Sequence, residues 1–394
     1  MSTHNTELLH EAVEVFRSRF PEHAAAKLCF GSAPGRIEVL GNHTDYNDGF
    51  VLSAAIDRRT VLVGTPVDSN NVSLYSQQMK STVAFPATDS VKYEHGSLEA
   101  WANYPKGVIL ELNPTRGFVG VFCSSIPLGA GVSSSAALEL ATAMFIRAAF
   151  PQSKAARHNM IEIALACKHA ENAFVGMGCG ILDQFTSAMS REGHLLFLDC
   201  RDIAEYRYIP IPPEYKFVVA ESEAQHQLLD GKYNELRSQC FEAARLLHKP
   251  SLRDVTYEQF QNAAALLPED IRRRVSHIVG ENERVQRAIK ILESHRPIQE
   301  LGELLLASHR SSQFEFKNSC QELDILVECA QSLPGFIGAR LQGGGFGGST
   351  INLVESSMVE MFTELLSKAY FEKTGIFTNT FVVTPSDGAS CGSL

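Results

Sequence analysis

Five of the six residues from Gly343 to Gly348 are glycine, in "GARLQGGGFGGSTINLV" (338–354), and apolar strand-like runs flank them on both sides. Glycine loses more backbone entropy on folding than any other residue, so such a run does not exist to fill a core. It suits a fixed loop that a ligand, or another stretch of backbone, approaches closely. A fold built around that loop needs a partner element to bring against it.

Three other segments carry concentrated chemistry. The run "APGRIEVLGNHTDYNDGFVL" (33–52) sets Arg36, Glu38, Asn42, His43 and Asp45 between Val39-Leu40 and Val51-Leu52, and reads as a polar loop. In "PLGAGVSSSAALELA" (127–141), Gly129 and Gly131 permit tight turns and three serines then open a helix. Free N–H groups at a helix N-terminus, with the helix dipole, favour an anion, so this is a phosphate cradle without a Walker A lysine. A plain glycine turn with serine caps has the same pattern. In "HAENAFVGMGCGILDQFTSAM" (169–189), Asp183 stands in an apolar, glycine-framed setting, where a lone carboxylate is costly unless it is paired or working. Glu171 reads either as a solvated helix carboxylate or, in the company of Asp183 and Ser134, as a ligand for Mg²⁺, which prefers hard oxygens.

Around these segments the periodicity is mixed. Leu8, Leu9, Ala12, Val13, Phe16 and Phe20 recur at helical spacing over 5–20. Strands are expected at 60–67, 117–126, 194–200 and 216–222, with "STINLV" and "FVVT" near the end. Helices are expected at 134–150, which is apolar on nearly all faces, at 155–175, through most of 232–332, and near 356–373. Strand runs followed by helix runs predict an α+β architecture. The length of 394 residues favours two domains, and the proline-rich "IPIPPEY" places their boundary near 205–215.

Composition narrows the function. A net charge of −10 opposes a nucleic-acid binder, which needs a basic face. Nine scattered cysteines without CxxC pairs suit a reduced compartment. The opening "MSTHNTELLHEAVEVF" lacks a basic region followed by an apolar block, and no run is long enough for a membrane span, so a cytoplasmic enzyme is expected.

Together the four segments resemble the GHMP kinase superfamily and, within it, the galactokinase family. "GRIEVLGNHTDYNDG" is similar to the family's opening signature and "PLGAGVSSSAA" to its phosphate loop. "AENAFVGMGCGILDQ" is similar to its catalytic-acid segment and "GGGFGG" to its carboxyl-side glycine loop, all in the family's order. The resemblance implies a two-domain α+β fold, a ribosomal-protein-S5-like unit over 1–210 and a ferredoxin-like and helical unit over 211–394, with the site between them. It implies transfer of the ATP γ-phosphoryl group to the anomeric hydroxyl of galactose or a close relative, in a monomer that takes sugar and ATP and binds neither nucleic acid nor membrane. Arg36 and Asp183 would be catalytic. Asn42, His43, Asp45, Gly180 and Tyr233 would line the sugar site with them. Pro127, Gly129, Ala130, Gly131, Val132, Ser133, Ser134 and Ser135 would wrap the ATP phosphates, Trp101 would sit near the adenine, and Ser134 or Ser135 with Glu171 would meet Mg²⁺.

The chain departs from the family pattern at named places. Glu38 and Asn42 exchange the family's asparagine and glutamate, which opens the choice between galactose and a C6-modified or N-acetylated relative such as galacturonate. Gln342 replaces a threonine, and 220–226 and 311–319 differ from the usual runs. A silent sugar-and-ATP sensor is the rival from another class, and the retained Arg36, Asp183 and Ser135-Ala136 oppose it.

Overall fold

The computed structural model describes residues 3–224 and 229–394, so positions 225 and 226 of the divergent 220–226 run lie outside it. The chain opens with α1 (Thr3–Arg19), then β1 (Cys29–Leu40), β2 (Phe50–Pro66) and the hairpin β3 (Asn71–Ser76) and β4 (Ser81–Pro86). Next come α2 (Asn103–Leu112), β5 (Phe118–Ser124), α3 (Ser134–Ala149), α4 (Lys154–Arg157), α5 (Met160–His169), α6 (Leu182–Met189), β6 (His194–Asp199) and β7 (Tyr206–Pro210). The second half runs β8 (Tyr215–Glu221), α7 (Leu229–Leu246), α8 (Tyr257–Ala263), α9 (Glu269–Glu293), α10 (Gln299–Ser311) and α11 (Gln321–Ala330). It closes with β9 (Phe336–Leu341), β10 (Ser349–Glu355), α12 (Val359–Thr374), β11 (Thr380–Val383) and β12 (Ser390–Ser393).

The strands form two sheets. The first has the order β12-β1-β2-β5-β3-β4, with β6 pairing the far end of β2 and β7 pairing β6. The second has the order β11-β8-β10-β9. The 205–215 stretch carries the passage from β7 of the first sheet to β8 of the second. The carboxyl end then crosses back: Cys29 faces Ser393 in the β1–β12 ladder, so the first sheet takes its edge from the last residues. Residues 390–393 therefore pair with the first sheet.

Burial explains these elements. Leu8, Ala12 and Phe16 lie on one stripe of α1, and with Phe20 just past its end they are buried against Val61, Val63, Val119 and Val121 of the sheet. α3 is buried on most faces, as its composition predicts, but it takes Glu139 and Thr142 inside as well. A single apolar cluster joins Ile37 and Leu52 of the first sheet to Leu301 and Leu305 of α10 and Leu353 of β10, so the two sheets share a core.

Two expectations change. Residues 33–52 are not one loop: β1 runs through Leu40 and β2 starts at Phe50, leaving only a tight turn between them. β1 is buried along its whole length, so the polar-apolar alternation that marks a half-exposed strand is missing. The helix expected over 155–175 is interrupted at His158-Asn159, where Asn159 and Glu162 form a capping box that starts α5.

Candidate active site

The regular pairing of Arg36, Ile37 and Glu38 with Ala55, Ala54 and Ser53 fixes which way each side chain points. Ile37 enters the core, while Arg36 and Glu38 share the opposite face, about 7 Å apart along the strand. Both face a cavity of about 380 Å³. Its walls include Asn42, His43 and Asp45 from the β1–β2 turn, Gly129 and Gly131 to Ser135, Glu171, Gly180, Asp183, Tyr233 and Gly343 to Gly348. All four chemistry-bearing segments meet there.

At the centre Arg36 grips Asp183 through two bonds, Nε to Oδ1 at 2.8 Å and Nη2 to Oδ2 at 3.1 Å. Arg36 Nη1 donates to the Gly131 carbonyl at 2.6 Å, tying the pair to the glycine-serine loop before α3. Ser133, held at φ 58° just before α3, donates its hydroxyl to Asp183 Oδ2 at 2.5 Å. The planar fork of a guanidinium fixes both carboxylate oxygens, so the acid has one orientation.

At one end of the cavity two buried acids, Glu38 and Glu281, have arginine partners. The Asn42 side chain donates to the Gly343 carbonyl at 2.7 Å and to Glu38 Oε1 at 3.1 Å. Its own oxygen accepts from Asn318 at 2.9 Å. The amide expected to read the sugar is thus engaged within the protein. Glu38 accepts from Asn42, from the Gly343 amide at 3.2 Å and from buried Arg340 at 3.4 Å, all long bonds that leave lone pairs for a ligand. Below them Glu281 of α9 accepts the Gly41 and Asn42 amides at 2.9 and 3.1 Å and pairs with Arg284. Burial alone would raise its carboxyl, but Arg284 and Arg340, with the Gly41 amide, hold it below the usual range.

The neighbouring residues are also placed by packing. His43 reaches Tyr46 at 2.7 Å with Nδ1 and the Gly344 carbonyl at 3.2 Å with Nε2, and burial lowers its pKa to about 4. It is therefore a neutral ring whose two nitrogens already have partners. Asp45 accepts the Tyr46 amide at 3.0 Å, and burial, with Asp183 and Glu38 nearby, pushes its carboxyl up to about 6. A side chain at Gly180 would collide with that carboxylate, so the glycine is what lets Asp45 reach the cavity. Tyr233 of α7 lies against the His43 ring at 5.1 Å and beside Gly344.

Among the described residues that line the cavity, the other end has no cation besides Arg36. Glu171 is held by the Gln184 amide at 2.5 Å and the Cys179 thiol at 3.2 Å. Burial and then Asp183 push its carboxyl up to about 7. Ser134 and Ser135 belong both to this wall and to an adjoining pocket of about 260 Å³ that contains Trp101, Tyr104, Phe122 and Leu138. The Trp101 Nε1 is buried with no partner among the described residues. Gly129, Gly131, Gly343, Gly345 and Gly348 all have positive φ, and the Gly343 and Gly131 backbones meet closely. Pro127 and Ala130 do not belong to the wall of the larger cavity, although the Ala130 carbonyl accepts from Ser349 and so fixes the loop from behind.

Sequence reasoning missed the residues that hold these groups in place. Glu281, His277, Asn318 and Arg340 all act on β1 and its turn from more than two hundred positions away. His277 and Glu281 stand four apart on α9, a one-face spacing visible in "HIVGENERV". Gln184 follows Asp183 directly, and its role becomes readable only once Glu139 and Glu171 are known to converge on it.

Three family models match the chain: the galactokinase galactose-binding signature at 14–66, the GHMP kinase N-terminal domain at 103–191 and the GHMP kinase C-terminal domain at 286–370. A galactokinase of Homo sapiens is 41% identical over 363 residues, covering 89% of this chain and 89% of the relative. One from Chloroflexus aurantiacus is 38% identical, covering 91% and 92%. The crystal structure of Lactococcus lactis galactokinase with galactose superposes with a TM-score of 0.89 at 30% identity, over 96% of this chain and 99% of that one. A mevalonate kinase at 18% identity and a TM-score of 0.62, over 90% and 98%, shares the fold.

Proposed function

The chain belongs to the galactokinase family of the GHMP kinase superfamily, and from that premise we propose how its own residues carry the reaction. Its activity is ATP-dependent phosphorylation of galactose. The acceptor is the anomeric hydroxyl, which lies against Asp183. Asp183 orients that hydroxyl and takes its proton, while Arg36 fixes the carboxylate and offers positive charge to the phosphoryl group. Phosphoryl transfer depends mostly on positioning and charge stabilisation, which this fixed pair supplies. The bidentate Arg36–Asp183 contact, where the sugar wall meets the phosphate loop, carries the reading.

Asp45 and Tyr233 hold the sugar ring, and His43 acts as a neutral support for Tyr46 and the glycine loop. The sugar's far hydroxyl donates to Glu38, because the Asn42 amide is already engaged and Glu38 lies one strand pleat beyond Arg36. A carboxylate there accepts from a hydroxyl and repels a C6 carboxylate, which favours galactose over galacturonate. ATP lays its phosphates on the amides of Gly129 to Ser135, and the unpartnered Trp101 Nε1 suits an acceptor on the adenine.

Mg²⁺ fits the other end. Glu171 and Asp183 bring two carboxylates to one wall with Ser134 and Ser135 beside them, and only Asp183 has an arginine. No cluster of three or more His, Cys, Asp or Glu among the described residues is arranged to hold a metal, so most ligands would come from phosphate and water. When bound, the ion would neutralise charge on the phosphates. One chain builds the whole cleft, so a monomer suffices. All nine cysteines are free, which suits a cytoplasmic setting, and among the described residues no helix is long and apolar enough to cross a membrane.

The test is ADP release with galactose, galacturonate, 6-deoxygalactose and N-acetylgalactosamine on wild type, Asn42→Glu and Glu38→Asn/Asn42→Glu. Galactose should lead on wild type. Asn42→Glu should lose sugar affinity by crowding two carboxylates, and the double exchange should recover it. Turnover of galacturonate but not galactose would move the substrate, and no ADP release with any sugar would revive the sensor.

A further inference from the structure

We propose that Glu139 and Gln184 form a buried acid–amide pair that positions the Glu171 carboxylate for Mg²⁺. Glu139 lies on α3 one turn beyond Ser135, and Gln184 lies on α6 beside Asp183. Both are completely buried. The Gln184 amide nitrogen donates to Glu139 Oε2 at 3.1 Å and to Glu171 Oε2 at 2.5 Å, so one side chain bridges two carboxyl groups.

The remaining atoms show what state this cluster must be in. Glu139 Oε1 and Gln184 Oε1 are both buried without a hydrogen-bond partner among the described residues. Two acceptors cannot satisfy each other, and buried polar atoms are rarely left unpaired. A proton on Glu139 Oε1 turns that oxygen into a donor whose acceptor is Gln184 Oε1. The acid and the amide then exchange two hydrogen bonds, and both orphaned oxygens gain a partner. Burial, and then the Glu171 charge, push the Glu139 carboxyl well above the usual carboxylate range, in the same direction.

The pair has a consequence for the cleft. With one face of its amide locked by Glu139, Gln184 has a single orientation left for its second hydrogen, and that hydrogen points at Glu171. Cys179 donates to the same Glu171 oxygen at 3.2 Å, and Ser135 also bonds the carboxylate. Oε2 is therefore held from behind by Gln184 and Cys179, which fixes the direction in which the carboxylate faces the cleft. Glu139 is a positioning residue: it never touches the metal, and it acts through Gln184. Partners of this kind typically change metal affinity by about 10–100-fold when removed.

The proposal rests on the Mg²⁺-dependent kinase reading, and two measurements keep them separable. The first is calorimetric titration of a non-hydrolysable ATP analogue across Mg²⁺ concentrations for wild type, Glu139→Gln, Glu139→Met and Gln184→Met. Gln at 139 can donate to Gln184 Oε1 as the protonated acid does, so Glu139→Gln should keep the Mg²⁺ requirement within about two-fold. Both Met variants should raise the Mg²⁺ concentration required by about tenfold or more, with metal-free nucleotide affinity unchanged. A Glu139→Gln loss as large as that of Glu139→Met would mean the charge matters and overturn the pair. Equal Mg²⁺ requirements in all four proteins would overturn the positioning role. The second measurement needs no destabilised variant: the infrared difference spectrum of wild type against Glu139→Gln should show a protonated carboxyl stretch present only in wild type. Absence of that band overturns the pair alone, whereas metal-independent nucleotide binding by wild type would overturn the kinase reading.

Discussion

At the sugar end of the cleft Glu38 and Glu281 are buried beside Arg340 and Arg284, and at the phosphate end Glu139 and Glu171 are buried beside an amide, a thiol and serines. Taking a carboxylate out of water costs several kcal/mol, on the order of what an ion pair with good geometry returns. The sugar end meets that cost for Glu38 and Glu281 with its own cations, while burial leaves Asp45 raised to about 6. The phosphate end does not, and its carboxyls are raised until a proton or an incoming cation relieves them. A neutral sugar needs a prebuilt, balanced wall. A nucleotide arriving with a metal ion needs a wall that is short of positive charge.

The contrast is broken most severely where the two ends meet. Asp183→Asn keeps the shape of the side chain but removes the base, and should lower kcat by about 10²–10⁴ while leaving nucleotide affinity near wild type. Single-turnover kinetics with galactose, beside calorimetry with ATP analogue, checks both halves. Next in size is Arg340→Met, which strands Glu38 in the interior. Breaking one partner of a buried pair costs about 3–5 kcal/mol, and the double variant Arg340→Met/Glu38→Gln should recover much of it in denaturant unfolding. Equal losses in both variants would show that Arg340 matters for packing and not for balancing charge.

Gly180→Ala sharpens the geometry of the sugar end. A methyl there must displace the Asp45 carboxylate, so the KM for galactose should rise by about tenfold or more with Mg²⁺ dependence unchanged. The smallest effect is with pH. Asp45 is raised from 3.8 to about 6, so galactose affinity should weaken as pH falls through about 6 and its carboxylate gains a proton. The expected loss is on the order of one hydrogen bond, about 0.5–1.5 kcal/mol. His43 and His277 are lowered to about 4 and about 3 and stay neutral over this window, so Asp45→Asn should flatten the profile. Folding has the opposite sign: a raised acid contributes stability below its unfolded pKa near 3.8 and loses it as pH rises through about 6.

The same contrast explains what could be read in the sequence. Arg36, Asp45, Asp183 and Glu171 stand out because polar groups framed by glycines and apolar runs have few structural uses. Their supports do not stand out. Arg340 lies 302 positions from Glu38, and Glu281 lies 240 from Gly41, so nothing local marks either as a partner. β1 escaped as a strand because both of its faces are covered, one by core and one by the other half of the site. Asn42 shows a related limit. Its position was legible, but the saturation of its amide by Gly343, Glu38 and Asn318 depends on two loops from the far half of the chain.

The balance between the two ends can be measured directly by calorimetry of galactose and of a non-hydrolysable ATP analogue, each with Mg²⁺ and with EDTA. Galactose affinity should be the same in both buffers, because the protein's own arginines complete that wall. Nucleotide affinity should fall by about tenfold or more in EDTA. Galactose binding that requires Mg²⁺, or nucleotide binding indifferent to it, would contradict the account.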